Sequence, residues 1–307
     1  MKRESPSAEG HKDHIVLGMM AGAGAIFMLS VMVVFAKLLS ERHAAVEIAF
    51  YRNLIASLPF LFMILVMGKR DFLVVKSKPL AVGARAVIGA ASLVTTFAAF
   101  AAMPMADTQA FLFTSSLFIP VMGIIFLGES VGPYRWAAVV FGFIGVLIML
   151  QPGGETNVVG VTLAMSAAFM HAVLQTILRF LGKFERPETV TFYFVVVGTL
   201  VTALALPFVA VKPTLAEIPL LLGLGFSGLA GQFLLSVAFS KAPAAVVTVF
   251  NYSGIVWATF FGWLLWDDWP ALVIWIGGSV VIFSNLFLVW REARLGRVTG
   301  ARVRAKL

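Results

Sequence analysis

Long apolar runs of nearly uniform length alternate with short polar breaks along this chain. Ten runs lie near the ~20 residues that an α-helix needs to cross the hydrocarbon core of a bilayer. They are Ile15–Leu38, Ala45–Met67, Leu80–Ala102, Met105–Leu127, Tyr134–Leu150, Val158–Leu181, Thr189–Val211, Ile218–Ser240, Pro243–Trp266 and Pro270–Trp290. Glycine, proline and charge mark the breaks, as in Gly68-Lys69-Arg70-Asp71, Gly128-Glu129-Ser130, Pro152-Gly153-Gly154 and Trp266-Asp267-Asp268-Trp269-Pro270. The runs lack the period-two alternation of barrel strands, and only a helix satisfies its own backbone groups inside a span. The pattern predicts an all-α membrane protein of ten transmembrane helices, with loops too short to hold a soluble domain.

The runs repeat. Phe100-Ala101-Ala102-Met103-Pro104-Met105-Ala106 matches Phe239-Ser240-Lys241-Ala242-Pro243-Ala244-Ala245, an offset of 139 positions from Pro104 to Pro243. Without a gap the same offset sets Gly89 on Gly228, Phe111 on Phe250, Glu129 on Asp268 and Trp136 on Trp275. A period this long is no solenoid unit. It divides the chain into a tail (1–14), a first half (15–151, spans one to five), a second half (152–290, spans six to ten) and a basic tail (291–307). Five is odd, so the second half must enter the membrane upside down. The expected architecture is a pair of five-helix inverted-topology repeats around a site near the midplane.

Composition agrees with a membrane chain: 60% of the 307 residues are hydrophobic, 12% are charged and the mean hydropathy is +0.97, where soluble domains are about a quarter charged. The net charge of +8 could indicate nucleic acid, but the basic residues sit in short loops and tails, which excludes that partner. Their placement sets orientation. With the amino end inside, the inner loops hold Lys69, Arg70, Lys76, Lys78, Arg135, Arg179, Lys183, Arg186 and Lys241, followed by the arginine-rich tail; the outer side keeps Lys37, Arg42 and Lys212. Ile15–Leu38 is too long for a signal-peptide core and lacks a cleavage site, so it should remain as a span. Trp263, Trp266 and Trp269 read as an interfacial aromatic belt. The location expected is a bacterial-type inner membrane with both termini cytoplasmic.

Catalytic chemistry finds little footing. Gly223-Leu224-Gly225-Phe226-Ser227-Gly228 has dinucleotide-fingerprint spacing, but it lies inside an apolar run with no strand before it and no acid about 20 residues on; it reads as a packing face. No zinc-protease, nucleophile-elbow or phosphate-loop motif occurs. The absence of cysteine removes disulfides, iron–sulfur clusters and thiolate zinc sites. We therefore expect no enzyme, no cofactor, no metal site and no ATP-driven step.

Polar groups inside the runs carry the functional signal, because they are costly there. Arg52 lies about eight residues into span two; it either binds an anionic part of a substrate or is tied to helix carbonyls or a carboxylate such as Asp107. His171 and Gln175 share a face of span six, with Arg179 continuing the stripe; His171 either lines a cavity, where it could carry a proton, or is hydrogen-bonded to a neighbouring helix. In span four, Gln109, Phe113, Ser116 and Pro120 form one stripe at helical spacing. The offset maps them onto Thr248, Tyr252, Ile255 and Thr259 of span nine, with Asn251 alongside. Equivalent polar faces on equivalent helices suggest a shared cavity, to which Gln232 of span eight is a further candidate; ordinary helix–helix hydrogen bonding is the competing reading.

On these features the chain resembles the drug/metabolite transporter superfamily, among proteins with two EamA-type domains. The likeness rests on Ala102-Met103-Pro104 and Lys241-Ala242-Pro243, each ahead of a span closing on an acid and then a tryptophan-led span. It rests also on Leu127-Gly128-Glu129, Gly142-Phe143-Ile144-Gly145 and Phe50-Tyr51-Arg52. Asp267-Asp268-Trp269 departs from the Gly-Glu of the first half. The resemblance implies alternating access and a central cavity away from spans five and ten. It implies a small-molecule substrate and the bilayer as partners, and leaves a homodimer open. The run from Val46 to Arg52 and that from Phe141 to Val146 look closest to S-adenosylmethionine-type uptake members. An amino-acid-like or S-adenosylmethionine-like substrate is therefore favoured, with riboflavin-type import and metabolite or drug export as alternatives. A non-transporting scaffold or receptor is the alternative of a different class.

Overall fold

The structure, a computed structural model, describes residues 8–127, 133–150, 157–181, 184–241 and 250–294. Among the described residues it is helical throughout, without strands. α1 (Ala8–Leu39), α2 (Ala45–Leu65) and α3 (Pro79–Ala102) follow the first three apolar runs to within a few residues. α6 (Pro133–Leu150), α7 (Val158–Leu181), α10 (Ile218–Lys241) and α12 (Leu272–Arg294) do the same for runs five, six, eight and ten. Proline opens α3 and α6 without sacrificing a helical hydrogen bond, since its missing N–H falls among the donors a helix leaves free there. Five helices are long and apolar enough to cross a membrane: within α1, α2, α3, α7 and α10. The apolar helices from runs five, seven, nine and ten are shorter.

Runs four, seven and nine are not continuous. Run seven gives α8 (Pro187–Ala203) and, after a turn at Leu204-Ala205, the single-turn α9 (Leu206–Val209) containing Pro207. Run four divides into α4 (Met105–Leu112) and α5 (Ser115–Leu127), with a turn at Phe113-Thr114. In run nine a turn at Asn251-Tyr252 precedes α11 (Ser253–Trp266), and residues 242–249 lie outside the described part. The two breaks are equivalent under the repeat. Thr114 Oγ1 donates to the Phe111 carbonyl and Ser253 Oγ to the Phe250 carbonyl, both at 2.7 Å, and the offset carries one bond onto the other. Each hydroxyl satisfies a carbonyl that the interrupted ladder releases, which is how a broken helix survives in an apolar medium.

Helix contacts obey the same symmetry. The offset takes α1 to α7 and α3 to α10, and α1 packs on α10 as α7 packs on α3; α2 meets its equivalent α8, and α6 its equivalent α12. Gly145 of α6 lies against Gly277 of α12, so closely that a Cβ on Gly145 would sit 2.6 Å from the Gly277 carbonyl oxygen. The offset turns this pair into Ser284 and Ala138, and Ser284 Oγ donates to the Ala138 carbonyl. As the position falls from 145 to 138 on α6 it rises from 277 to 284 on α12. The two equivalent helices therefore run antiparallel about a pseudo-twofold. The spacing Gly223, Gly225, Gly228 proves to be a packing face: Phe35 and Met32 of α1 and Ile55 of α2 occupy the space where its Cβ atoms would be.

Polar clamps hold both ends of the bundle. At one end Arg42 pairs with Glu217 at 2.8 Å, and buried His43 lies between Glu47 (3.0 Å) and Glu217 (3.4 Å). Lys37 Nζ donates to the Met103 carbonyl (2.9 Å) and lies 3.7 Å from Asp268, over the Trp266 ring. At the other end Glu185 accepts the N–H groups of Lys76, Ser77 and Lys78, and Tyr193 Oη donates to the Leu73 carbonyl.

The Glu217 carboxyl is held down to about 2 from its ordinary 4.5, first by the Thr214 N–H and then by the Thr214 hydroxyl, His43 and Arg42. A depressed carboxylate stabilises the fold above its unfolded pKa, and that contribution is lost as pH falls through the folded one. Glu217→Gln should therefore melt below the native protein at pH 7. The gap should close as pH falls from about 4.5 toward about 2, which thermal melts in detergent would read.

Candidate functional site

A cavity of about 500 Å³ lies between the two sets of helices, within the size range of small-molecule sites. Its walls come from α1, α2, α3, α4, the first residue of α5, α7, α8, α10 and α11 and the turns at the two helix breaks; among the described residues α6 and α12 contribute nothing. That exclusion follows from the packing just described, because α6 and α12 use their small-residue faces on each other. The walls are mainly apolar and aromatic, with Phe60, Phe97, Phe100, Phe113 and Phe194 prominent. Set among them are Arg52, Arg85, Gln109, Ser115, His171, Gln175, Thr191, Gln232 and Asn251. Among the described residues no Asp or Glu lines it, and no group of three acidic or histidine side chains could hold a metal.

Seven of the residues expected from the sequence meet here: Arg52, Gln109, Phe113, His171, Gln175, Gln232 and Asn251. Gln175, Gln232 and Asn251 are exposed within an otherwise packed bundle because they face this space. Two do not reach it. The turn at Phe113-Thr114 shifts the helical phase, so that Ser115 faces the cavity while Ser116 Oγ bonds back to the Phe113 carbonyl at 2.6 Å. Tyr252 packs edge-on against Phe113 with ring centroids 5.5 Å apart, a contact between repeat-equivalent aromatics. Both shortfalls have one cause, since a single continuous stripe assumes a helix without a break. Thr248 lies outside the described residues.

Arg52 is 2% exposed and its Nη1 donates to Asn53 Oδ1 at 3.0 Å; its Nε donates to nothing. It makes no ion pair with Asp107, whose neighbourhood is the Lys37–Asp268 cluster. His171 Nε2 lies 3.5 Å from Thr96 Oγ1, which itself donates to the Ser92 carbonyl at 2.7 Å. Which imidazole nitrogen carries the proton depends on the tautomer. Arg85 was missed in the sequence, although the signal that marks Arg52, a charge inside an apolar run, marks it equally. It stands six residues into α3, close enough to Lys76 and Lys78 to pass for part of the basic inner flank.

A helical membrane protein with a pseudo-twofold, paired helix breaks and a central cavity of apolar walls set with polar side chains is built as a transporter. Comparison with known proteins gives the particular family. The EamA-like transporter family model matches residues 16–151 and again 158–290, and the chain belongs to that family. A riboflavin transporter of Rhizobium johnstonii is 33% identical over 214 residues, covering 69% of this chain and 71% of that one. The pseudopaline exporter CntI of Pseudomonas aeruginosa is 31% identical over 282 residues, 90% of this chain and 97% of that one. An S-adenosylmethionine uptake transporter of Rickettsia bellii is 26% identical over 85% of this chain and 89% of that one. A crystal structure at 18% identity superposes with a TM-score of 0.61, covering 91% of this chain and 98% of that one, and shows the same fold.

Proposed function

We propose that the protein is a secondary transporter that moves a small organic metabolite across a bacterial-type inner membrane by alternating access. The observation that carries this reading is the cavity, to which equivalent helices of both halves bring polar side chains. Two inverted five-span halves, residues 15–151 and 152–290, account for the antiparallel α6–α12 contact and for the hydroxyl-to-carbonyl bonds 139 positions apart at the helix breaks. The lining runs from Phe100 and Met105, beside the Lys37–Asp268 clamp, to Thr191 and Leu178, the latter 41% exposed. That second end adjoins the lysine-rich segment 69–78, so with cytoplasmic termini the described state faces inward.

Arg52 holds a carboxylate of the substrate, which suits the amino-acid-like or S-adenosylmethionine-like substrates that the family resemblance favours. Riboflavin transport and metabolite export, as named for the relatives above, remain alternatives within the same cavity. The decisive experiment compares metabolites accumulated and released by cells with and without the protein. One solute changing in amount or side identifies substrate and direction; identical profiles in every medium would return the chain to a scaffold or receptor.

His171 is the group we assign to proton exchange. Imidazole titrates near neutrality, pKa ~6.5 when unperturbed, whereas a guanidinium such as Arg52 or Arg85, which also line the cavity, does not titrate in that range. His171→Gln keeps a hydrogen-bonding partner for Thr96 but cannot take up a proton. Its transport rate should vary less with pH between 5 and 8 than that of the native protein, and an unchanged profile would leave His171 as a hydrogen-bonded wall residue.

A further inference from the structure

We propose that Arg52 and Arg85 together form a dianion-binding site, so that the transporter selects solutes carrying two negative charges on an apolar body. This rests on the cavity being the substrate site and goes beyond a single carboxylate contact. Both guanidiniums lie over the same ring: the Cζ of Arg85 is 4.7 Å and that of Arg52 5.9 Å from the Phe194 centroid. They come from different helices, α3 and α2, and converge on one ring of α8. Phe194 offers each a cation–π contact, but one aromatic face does not neutralise two charges.

Among the described residues neither arginine has a carboxylate partner. Elsewhere Arg42 pairs with Glu217, Arg186 with Asp71 and Lys37 with Asp268, so the chain provides counter-charges where charge is structural. At the cavity it provides none. Arg52 Nε, Arg85 Nε and Arg85 Nη1 are buried and donate to nothing, and leaving charged donors both unpaired and buried is costly. A ligand bringing two acceptor charges would satisfy all of them. A net cation, an S-adenosylmethionine-like sulfonium included, would meet two fixed positive charges and, among the described residues, no carboxylate, so this site favours the anionic solutes over that one.

The backbone is shaped for this arrangement at equivalent places in both halves. A Cβ on Gly89 would lie 3.2 Å from Arg85 Nη1 and 2.7 Å from the Phe194 ring; a Cβ on Gly228 would lie 3.2 Å from Arg52 Nε. Gly89 and Gly228 are 139 positions apart, so the repeat places a glycine beneath each guanidinium. Larger residues would push both side chains off their helices.

The test uses the purified full-length protein in detergent, so that binding is read without transport. Ligands sharing a phenyl body are compared by thermal shift and titration: phenylsuccinate and phenyl phosphate as dianions, hydrocinnamate as monoanion and 3-phenylpropylamine as cation. We expect a dianion to bind about tenfold or more tightly than hydrocinnamate, since each charge-assisted guanidinium contact is strong, and the amine not to bind. Which dianion is preferred tells whether the two charges sit on separate groups or on one. Arg85→Gln should bring the dianion-to-monoanion ratio near one, and Arg85→Lys should recover it only in part. The ligand-free melting temperature of each variant shows that it is folded. Equal binding of all charge classes, no binding by either dianion, or an unchanged ratio in folded Arg85→Gln would overturn the proposal. Transport in cells that survives any of these results would leave the transporter reading intact.

Discussion

A disulfide between Met105→Cys and Gly262→Cys should stop transport, and a reductant should restore it. On the side of the Lys37–Asp268 clamp the cavity wall includes Met105 of α4, which is 1% exposed and packs beside α11. A Cβ on Gly262 would lie 3.7 Å from that of Met105, inside the 3.5–4.5 Å range that a disulfide spans without strain. The native chain has no cysteine, so the bond can form nowhere else. If this end must open during each cycle, the cross-link removes one of the two states, and transport should fall by more than about tenfold, because even a modest bias in a two-state equilibrium empties the minor state. Each single cysteine variant should transport nearly as the native protein does. Undiminished transport by the fully oxidised double variant would show that α4 and α11 do not part, and would put the moving seam elsewhere.

Both cysteines sit on helices whose breaks the sequence did not advertise. Most helix limits were legible because apolar runs end on proline, glycine or charge; Val158–Leu181 is the same in pattern and structure. Phe113-Thr114 and Asn251-Tyr252 carry no proline or glycine, and both lie within strongly apolar runs. The available signal was subtler: a hydroxyl residue, Thr114 and Ser253, at the same position of both halves, each bonded to a carbonyl three residues back. Periodicity alone cannot register that, since a side-chain hydrogen bond to the backbone leaves the apolar count unchanged.

The cavity was legible in proportion to how far each side chain lies from a break. Gln109, His171, Gln175 and Gln232 line the cavity on the faces that helical spacing assigns them, because the helix phase around them is regular. Ser116 lies two residues past the turn and its phase had slipped. Arg85 was hidden by context rather than geometry, since a charge near a basic loop passes for topology. Its partnership with Arg52 depends on α2, α3 and α8 converging, and no local pattern encodes that. The pseudo-twofold was the most legible feature, because sequence equivalence at one offset becomes contact equivalence in the bundle, as Gly145–Gly277 and Ser284–Ala138 show.

Replacing Arg52 with lysine should weaken transport by about ten- to a hundredfold at low substrate while leaving the amount of folded protein nearly unchanged. Lysine keeps the charge, so a purely electrostatic role would survive the change. What it loses is the planar fork: Arg52 gives Nη1 to Asn53 Oδ1 at 3.0 Å, which fixes the guanidinium plane and leaves the remaining donors for a carboxylate. An ammonium at the same site can neither hold Asn53 in that geometry nor make two parallel contacts to one acceptor group. A hydrogen bond to a charged group is worth about 1.5–3 kcal/mol, which converts to that fold-change in affinity. Folding should tolerate the change, because lysine has no longer reach than arginine and needs no more room than Arg52 already takes beside Gly228. Initial rates at several substrate concentrations would separate the outcomes. A raised KM with folded protein at native levels is the expected result. Native kinetics in Arg52→Lys would mean that the fork touches no substrate, and a parallel loss of folded protein would make Arg52 a structural residue of α2.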